Sequence, residues 1–245
     1  MYKASDVEKA ATEYFNGDTL AANVWKDKYA LKKDETYFEL TPKDMYKRIS
    51  EEFTRIENKY KNPLDKDETY NLLVKQVIIP GGSILYGVGN KYSFSSLGNC
   101  FVIGNGADSY GGICSVDQEQ VQLMKRRAGV GHDLSHLRAK GTPTTNSAKT
   151  SSGIVPFMER YSNSTREVAQ DGRRGALMLS IDISHPEAES FITAKDDLTK
   201  VTGANISVKV DDEFMDHVSK NQRYLPIWRK LVHQAWKSAE PGLLF

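Results

Sequence analysis

The chain has 245 residues, with 33 Lys and Arg against 32 Asp and Glu, a net charge of +1 and 27% charged residues. That balance gives no broad field for duplex DNA or an anionic membrane, so any anion must be caught by local arginines and backbone amides. No apolar run approaches the ~20 residues that span a bilayer, the N-terminus is not a signal peptide, and two cysteines support neither a disulfide framework nor a Cys-rich zinc site. A cytoplasmic protein with no membrane and no nucleic-acid partner is the expectation.

In chain order, Ser5 to Phe15 reads as a helix closed by Asn16-Gly17-Asp18, and Leu20 to Tyr29 as a second. Lys32 to Thr36 is a polar turn. Thr41-Pro42-Lys43-Asp44 is a helix start, with an N-cap threonine, proline at the first position and an acid at the third. Met45, Ile49, Phe53 and Ile56 follow at helical spacing, and Asn62-Pro63 is expected to end that helix. Tyr70 to Ile79 is a helix or a strand, and Pro80-Gly81-Gly82-Ser83 marks a turn at a close backbone approach.

Beyond this point strands and helices alternate. Cys100 to Ile103 predicts a buried parallel strand, Val116 to Arg127 a helix, Gly153 to Val168 a helix and Leu177 to Ile183 a strand. Pro186 to Lys195 predicts a helix, Asn205 to Val210 a strand, and Asp211 to Lys220 and Pro226 to Ser238 further helices. Gly242 to Phe245 reads as a severed strand or loop. The pattern is α/β with parallel strands behind a helical N-terminal region. The expected division is 1–67 helical and 68–245 α/β.

Several motifs have bland and chemical readings. A lone cysteine is usually a small buried hydrophobe. Asp108-Ser109 ahead of a helix is usually a cap. Thr142 to Gly153 is rich in Thr, Ser, Asn and Gly, as a flexible anion-accepting loop would be. His132 and His136 stand at the i, i+4 spacing of zinc ligands. However, Asp133 replaces the usual glutamate, no third ligand is evident, and glycines precede them, so no metal is expected. Gly87-Val88-Gly89 lacks the rest of a dinucleotide fingerprint.

Taken together and in order, Leu97-Gly98-Asn99-Cys100-Phe101-Val102-Ile103, Ala107-Asp108-Ser109, Arg127-Ala128-Gly129-Val130-Gly131 running to Leu137-Arg138, and Gln170-Asp171-Gly172-Arg173-Arg174-Gly175 resemble the catalytic large subunit of ribonucleotide reductase. The resemblance covers nearly the whole chain. It implies a helical region followed by the first half of a ten-stranded α/β barrel, without the N-terminal ATP-binding activity module. It implies that Cys100 is one half of the redox pair that supplies electrons for removing the ribose 2′-hydroxyl, a task suited to thiols because two of them can close to a disulfide. Gly82, Ser83 and Asn99 then hold the substrate ribose and its phosphates. Asp108, Ser109 and Arg138 meet a dNTP or ATP effector, with Gln170 and Arg174 in the second specificity loop. Cys114 matches no catalytic position and reads as packing or incidental.

The same resemblance places the radical cysteine and the second redox cysteine beyond Phe245. The expectation is an N-terminal piece, from a split gene or a truncation, inactive until a complementary C-terminal half completes it. Further expected partners are a second completed subunit, a thioredoxin- or glutaredoxin-like reductant, and a radical source. That source is either a metal-containing small subunit or adenosylcobalamin. The alternative from a different class is a non-catalytic dNTP-binding module serving regulation or assembly, which has no need of a pocket cysteine; an unrelated α/β enzyme is a third reading.

Overall fold

A computed structural model of the chain describes residues 1–104, 106–168, 175–221 and 225–245, which fall into two units, Met1–Asn99 and the described residues from Cys100 onward. In the first unit the helices are α1 (Ala4–Tyr14), α2 (Thr19–Lys28), α3 (Pro42–Glu57), α4 (Lys66–Val74) and α5 (Gly82–Gly87). A small antiparallel pair, β1 (Lys32–Lys33) and β2 (Thr36–Tyr37), turns through Asp34 at φ +51°.

Local signals explain most of these elements. The Asp18 carboxylate accepts the Ala21 N–H and starts α2. Asp44 accepts the N–H groups of Leu40 and Thr41 at 2.8 and 3.0 Å, so the acid expected at the third position of α3 does cap it. The buried face then carries Met45 and Ile49 onto Val7, Ala11, Trp25 and Leu73. α3 stops at Glu57, short of the expected Asn62-Pro63, with Asn58 as its C-cap. The Tyr70 region resolves as helix, and the expected turn at Gly81-Gly82-Ser83 is the start of α5.

In the second unit five parallel strands lie in the order β3 (Cys100–Val102), β4 (Gly129–Asp133), β5 (Leu177–Asp182), β6 (Asn205–Lys209), β7 (Gly242–Leu244). They are joined through α6 (Tyr110–Met124), α7 (Ile154–Glu167), α8 (Ala188–Ile192), α9 (Asp212–Asp216) with a π-helical turn at His217–Asn221, and α10 (Leu225–Ser238). Strand alternation divides the sheet. Val130, Leu177, Leu179, Ile181, Ile206 and Val208 enter a core with Ile113, Met124, Met158, Tyr161 and Phe191. By register, Cys100, Gly129, Gly131, Asp133, Met178, Ser180, Asn205, Ser207 and Lys209 share the other face.

Two expectations need correction here. The run Cys100 to Ile103 is buried only in part: Ile103 enters the core at 5% exposure, whereas Cys100 is exposed and Val102 is 92% exposed, because these two alternate onto the uncovered face of a strand at the edge of this sheet. The run Gly129–Asp133 is a strand that the sequence did not announce. The helix expected over Pro186 to Lys195 contracts to α8.

Candidate functional site

Asp108, Ser109 and Arg138 converge on one cavity of about 180 Å3 in the second unit. Ser109 is the N-cap of α6 and accepts the Gly112 N–H at 3.1 Å. Arg138 follows the turn after β4. Its Nε donates to Asp108 Oδ2 at 2.6 Å and its Nη2 to the Asp108 carbonyl at 3.1 Å. The loop expected to accept anions supplies Thr144, Thr145, Asn146 and Ser151 as the opposite wall, and Tyr110, Ile113 and Phe157 give the apolar floor. A guanidinium, several hydroxyls and an apolar patch around one cavity suit a phosphorylated ligand with a flat apolar part.

The backbone fixes this arrangement. Residues 142 and 151 pair through the Ser151 N–H on Thr142 O, 2.8 Å, and Gly141 donates to Ser151 O at 3.0 Å. Beneath the cavity, the Tyr161 hydroxyl donates to Ile113 O at 3.2 Å. Gln120 Nε2 donates to Tyr161 O and Thr165 Oγ1, which turns Gln120 Oε1 toward His132 Nε2 at 3.1 Å. His132 is therefore the neutral Nε2–H tautomer. Burial drives its pKa down to about 4, with His136 adding to the shift against Asp117 and Asp133. Burial, with Asp117 adding to it, also raises the Tyr161 phenol. His132 lies in β4 and not on a helix, and His136 lies in the turn beyond it. Among the described residues no three His, Cys, Asp or Glu side chains could together hold a metal ion.

A second feature is a groove of about 310 Å3 on the sheet face opposite the core. It runs from Cys100 over Gly129 and Gly131 to Met178 and Asn205. The two glycines leave its floor bare; a Cβ on Gly131 would come 3.6 Å from that of Met178. At the carboxyl end of the strands, Asp133 accepts from Ser180 Oγ at 2.8 Å and pairs with Lys209 Nζ at 3.1 Å. Burial acts to raise the Asp133 carboxyl, but the hydrogen bonds of Ser135, Ser180 and Lys209 outweigh it and hold the pKa below the usual range.

In the first unit, Ser83 N–H donates to Asn99 Oδ1 at 3.0 Å. A Cβ on Gly81 would run into the Asn99 amide, which is the close approach expected there. Ser83 is 1% exposed, and its hydroxyl has no hydrogen-bond partner among the described residues. Gly82 packs beside the Tyr29 hydroxyl. Asn99 directly precedes Cys100. Gln170 and Arg174 lie outside the described residues. Cys114 is exposed, so it is not a packing residue, and both cysteines are free.

The sequence missed Gln120, His185 and Glu187, because each acts on residues far away in the chain. Only the Ser184-His185-Pro186-Glu187 run, a turn pattern after a strand, hinted at the last two.

The fold and these sites define a parallel-stranded α/β protein with a helical N-terminal unit, a cavity lined by Asp108, Ser109 and Arg138, and a cysteine on the bare sheet face. Residues 98–227, more than half of the chain, match the model for "Ribonucleotide reductase, barrel domain", and 15–93 match "Ribonucleotide reductase, all-alpha domain". A vitamin B12-dependent ribonucleoside-diphosphate reductase of Thermoplasma acidophilum is 32% identical over 185 residues, covering 68% of this chain and 24% of that protein. A ribonucleoside-diphosphate reductase large subunit of Caenorhabditis elegans is 26% identical, covering 64% of this chain and 20% of that protein. The class Id ribonucleotide reductase alpha subunit of Actinobacillus ureae shares the fold, with TM-score 0.69 and 16% identity over 88% of this chain and 38% of that one.

The chain belongs to the ribonucleotide reductase large-subunit family. It spans about a quarter of the length of the curated relatives it matches. The expected architecture, a helical region and then part of the reductase barrel, is present. No described helix is long and apolar enough to cross a membrane.

Proposed function

We propose that this chain is the N-terminal part of a ribonucleotide reductase catalytic subunit, which reduces ribonucleotides to deoxyribonucleotides once a complementary C-terminal half is in place. The observation that carries the reading is the meeting of Asp108, Ser109 and Arg138, thirty residues apart in sequence, around one cavity closed by residues 144–152. That cavity is the effector site in this reading, and Gln170 and Arg174 relay which effector is bound. Family membership and the free thiol of Cys100 on the groove support the catalytic part.

In the reaction, Cys100 and a cysteine of the completing half are oxidised to a disulfide as the ribose 2′-hydroxyl leaves as water, and a thioredoxin- or glutaredoxin-like donor restores both thiols. The orphaned Ser83 hydroxyl and the Asn99 amide, with Gly82, contact the substrate ribose and phosphates. The relatives include vitamin B12-dependent enzymes and enzymes named as large subunits, so either radical source, adenosylcobalamin or a metal-containing small subunit, is compatible with the chain. The completed subunit acts as a dimer.

The test is calorimetric titration of the chain with dATP and dTTP, alone and mixed with a candidate C-terminal half, followed by assay of ribonucleotide reduction. Binding that tightens on mixing, with turnover lost in Cys100→Ser, is the expected result. Absence of nucleotide binding in both states contradicts it.

A further inference from the structure

The turn that follows β5, Ser184 to Glu187, grips the effector-cavity loop at its stems. A single carboxylate oxygen, Glu187 Oε2, accepts the Lys140 N–H at 2.9 Å and the Ile154 N–H at 3.0 Å. These two amides flank residues 141–153, so one side chain ties together both ends of the loop that walls the cavity. Ile154 opens α7, and its N–H is one of the donors a helix start cannot satisfy internally. A carboxylate there also meets the positive end of a 14-residue helix.

Gly153 is shaped to this contact. It has φ +85°, and a Cβ would fall 2.6 and 2.7 Å from the two Glu187 oxygens. Any side chain at this position would displace the carboxylate.

His185 adds a third point of attachment. Its Nδ1 accepts the Glu187 N–H at 3.0 Å, so its Nε2–H donates to Leu137 O at 2.8 Å. Leu137 is the neighbour of Arg138, whose carbonyl in turn accepts from Ser151 Oγ at 3.3 Å. The turn itself is held firmly, because α8 follows at once and buries Ala188, Phe191 and Ile192 in the core. A rigid element therefore holds the loop by Leu137 O, Lys140 N and Ile154 N.

We propose that Glu187 and His185 are positioning residues of the effector cavity: they keep the loop and Arg138 in the geometry that receives a triphosphate, without touching the ligand. The proposal rests on reading the Asp108–Arg138 cavity as a deoxynucleotide site. Ligand-binding loops are drawn from the least stable parts of a fold, so a clasp at the stems sets how much ordering the ligand must supply.

The experiment compares the 245-residue chain with Glu187→Ala and Glu187→Gln. Calorimetry with dTTP and dATP measures affinity, and amide hydrogen exchange follows Lys140, Ile154 and the β6 amides Ile206 and Val208. Glu187→Ala should weaken nucleotide binding about tenfold and speed exchange at Lys140 and Ile154 by at least as much, with β6 unchanged. Glu187→Gln keeps an acceptor oxygen and should restore most of both. Wild-type affinity in Glu187→Ala with both amides still protected overturns the proposal. Where the wild-type chain binds neither nucleotide, alone or mixed with a C-terminal half, the effector reading falls by itself and exchange alone decides: loosening that Gln repairs keeps Glu187 as the clasp of this loop, and unchanged exchange removes it.

Discussion

Arg138 reaches across thirty residues of sequence to place its Nε 2.6 Å from Asp108 Oδ2 and its Nη2 on the Asp108 carbonyl. The pair is partly open, with side chains 37% and 32% exposed. Exposed pairs of this kind contribute about 0–1 kcal/mol to stability. A guanidinium hydrogen-bonded to a phosphate is worth more, about 1.5–3 kcal/mol. Arg138→Ala should therefore lower dNTP affinity by roughly 10- to 100-fold while shifting the urea midpoint little. Calorimetry beside urea unfolding checks this; equal losses in both would make Arg138 a structural residue.

Arg48 and Glu39 make the opposite kind of pair. Their side chains are 9% and 3% exposed, with Nε 2.7 Å from Oε1. Glu39 Oε2 also accepts the Leu31 N–H at 2.7 Å, and the guanidinium donates to Leu85 O and Val88 O at the end of α5. Arg48→Met leaves a buried carboxylate without its cation and should cost about 3–5 kcal/mol. Arg48→Met with Glu39→Gln should recover part of that. Trp25, buried in this unit, reports the transition once Trp228 and Trp236 are replaced by Phe. A loss below about 1 kcal/mol would place the pair among the surface type.

The contrast between these residues marks what the sequence could tell. α3 is legible because Thr41-Pro42-Lys43-Asp44 is a local device, with cap and donor within one turn. The cavity residues were found because their motifs survive in order along the chain. β4 was not legible: Gly129, Gly131, His132 and Asp133 disfavour strands taken singly, and the strand exists because β3 and β5 flank it on both sides. Its glycines make sense only against the groove they open. The apolar run after Cys100 suggested a buried strand with the thiol at the edge of a pocket; the thiol lines the groove, but on an edge strand it is exposed. The Glu187 clasp spans 33 and 47 residues, and no local pattern announces so long a reach.

His132 predicts an acid-sensitive core. Its pKa falls to about 4 in the fold, against 6.5 for the free side chain. Between these values the unfolded chain carries a proton that the folded chain does not. Stability from this group is thus present above pH 6.5 and lost as pH falls toward 4, by at most about 3 kcal/mol. The imidazole 15N spectrum at pH 5.5 should show His132 neutral and protonated at Nε2. A protonated His132 at that pH would contradict both the tautomer and the predicted loss of stability.

Cys100 and Cys114 are both exposed, but they sit in different chemistry. Cys100 opens onto the groove over Gly129 and Gly131, whereas Cys114 is on α6 and lines neither the groove nor the Asp108–Arg138 cavity. Both should react with a thiol reagent in the folded chain without denaturant. Gly131→Ala adds a Cβ at ordinary contact distance from Met178, so the chain should fold normally while the groove loses room beside Cys100. In the completed enzyme Cys100→Ser should abolish reduction, and Cys114→Ser should leave it within about twofold, since an exposed position away from both sites has little to lose. Reduction that survives Cys100→Ser would remove this thiol from the redox pair, and with it the strongest reason to prefer a reductase over a nucleotide-binding module.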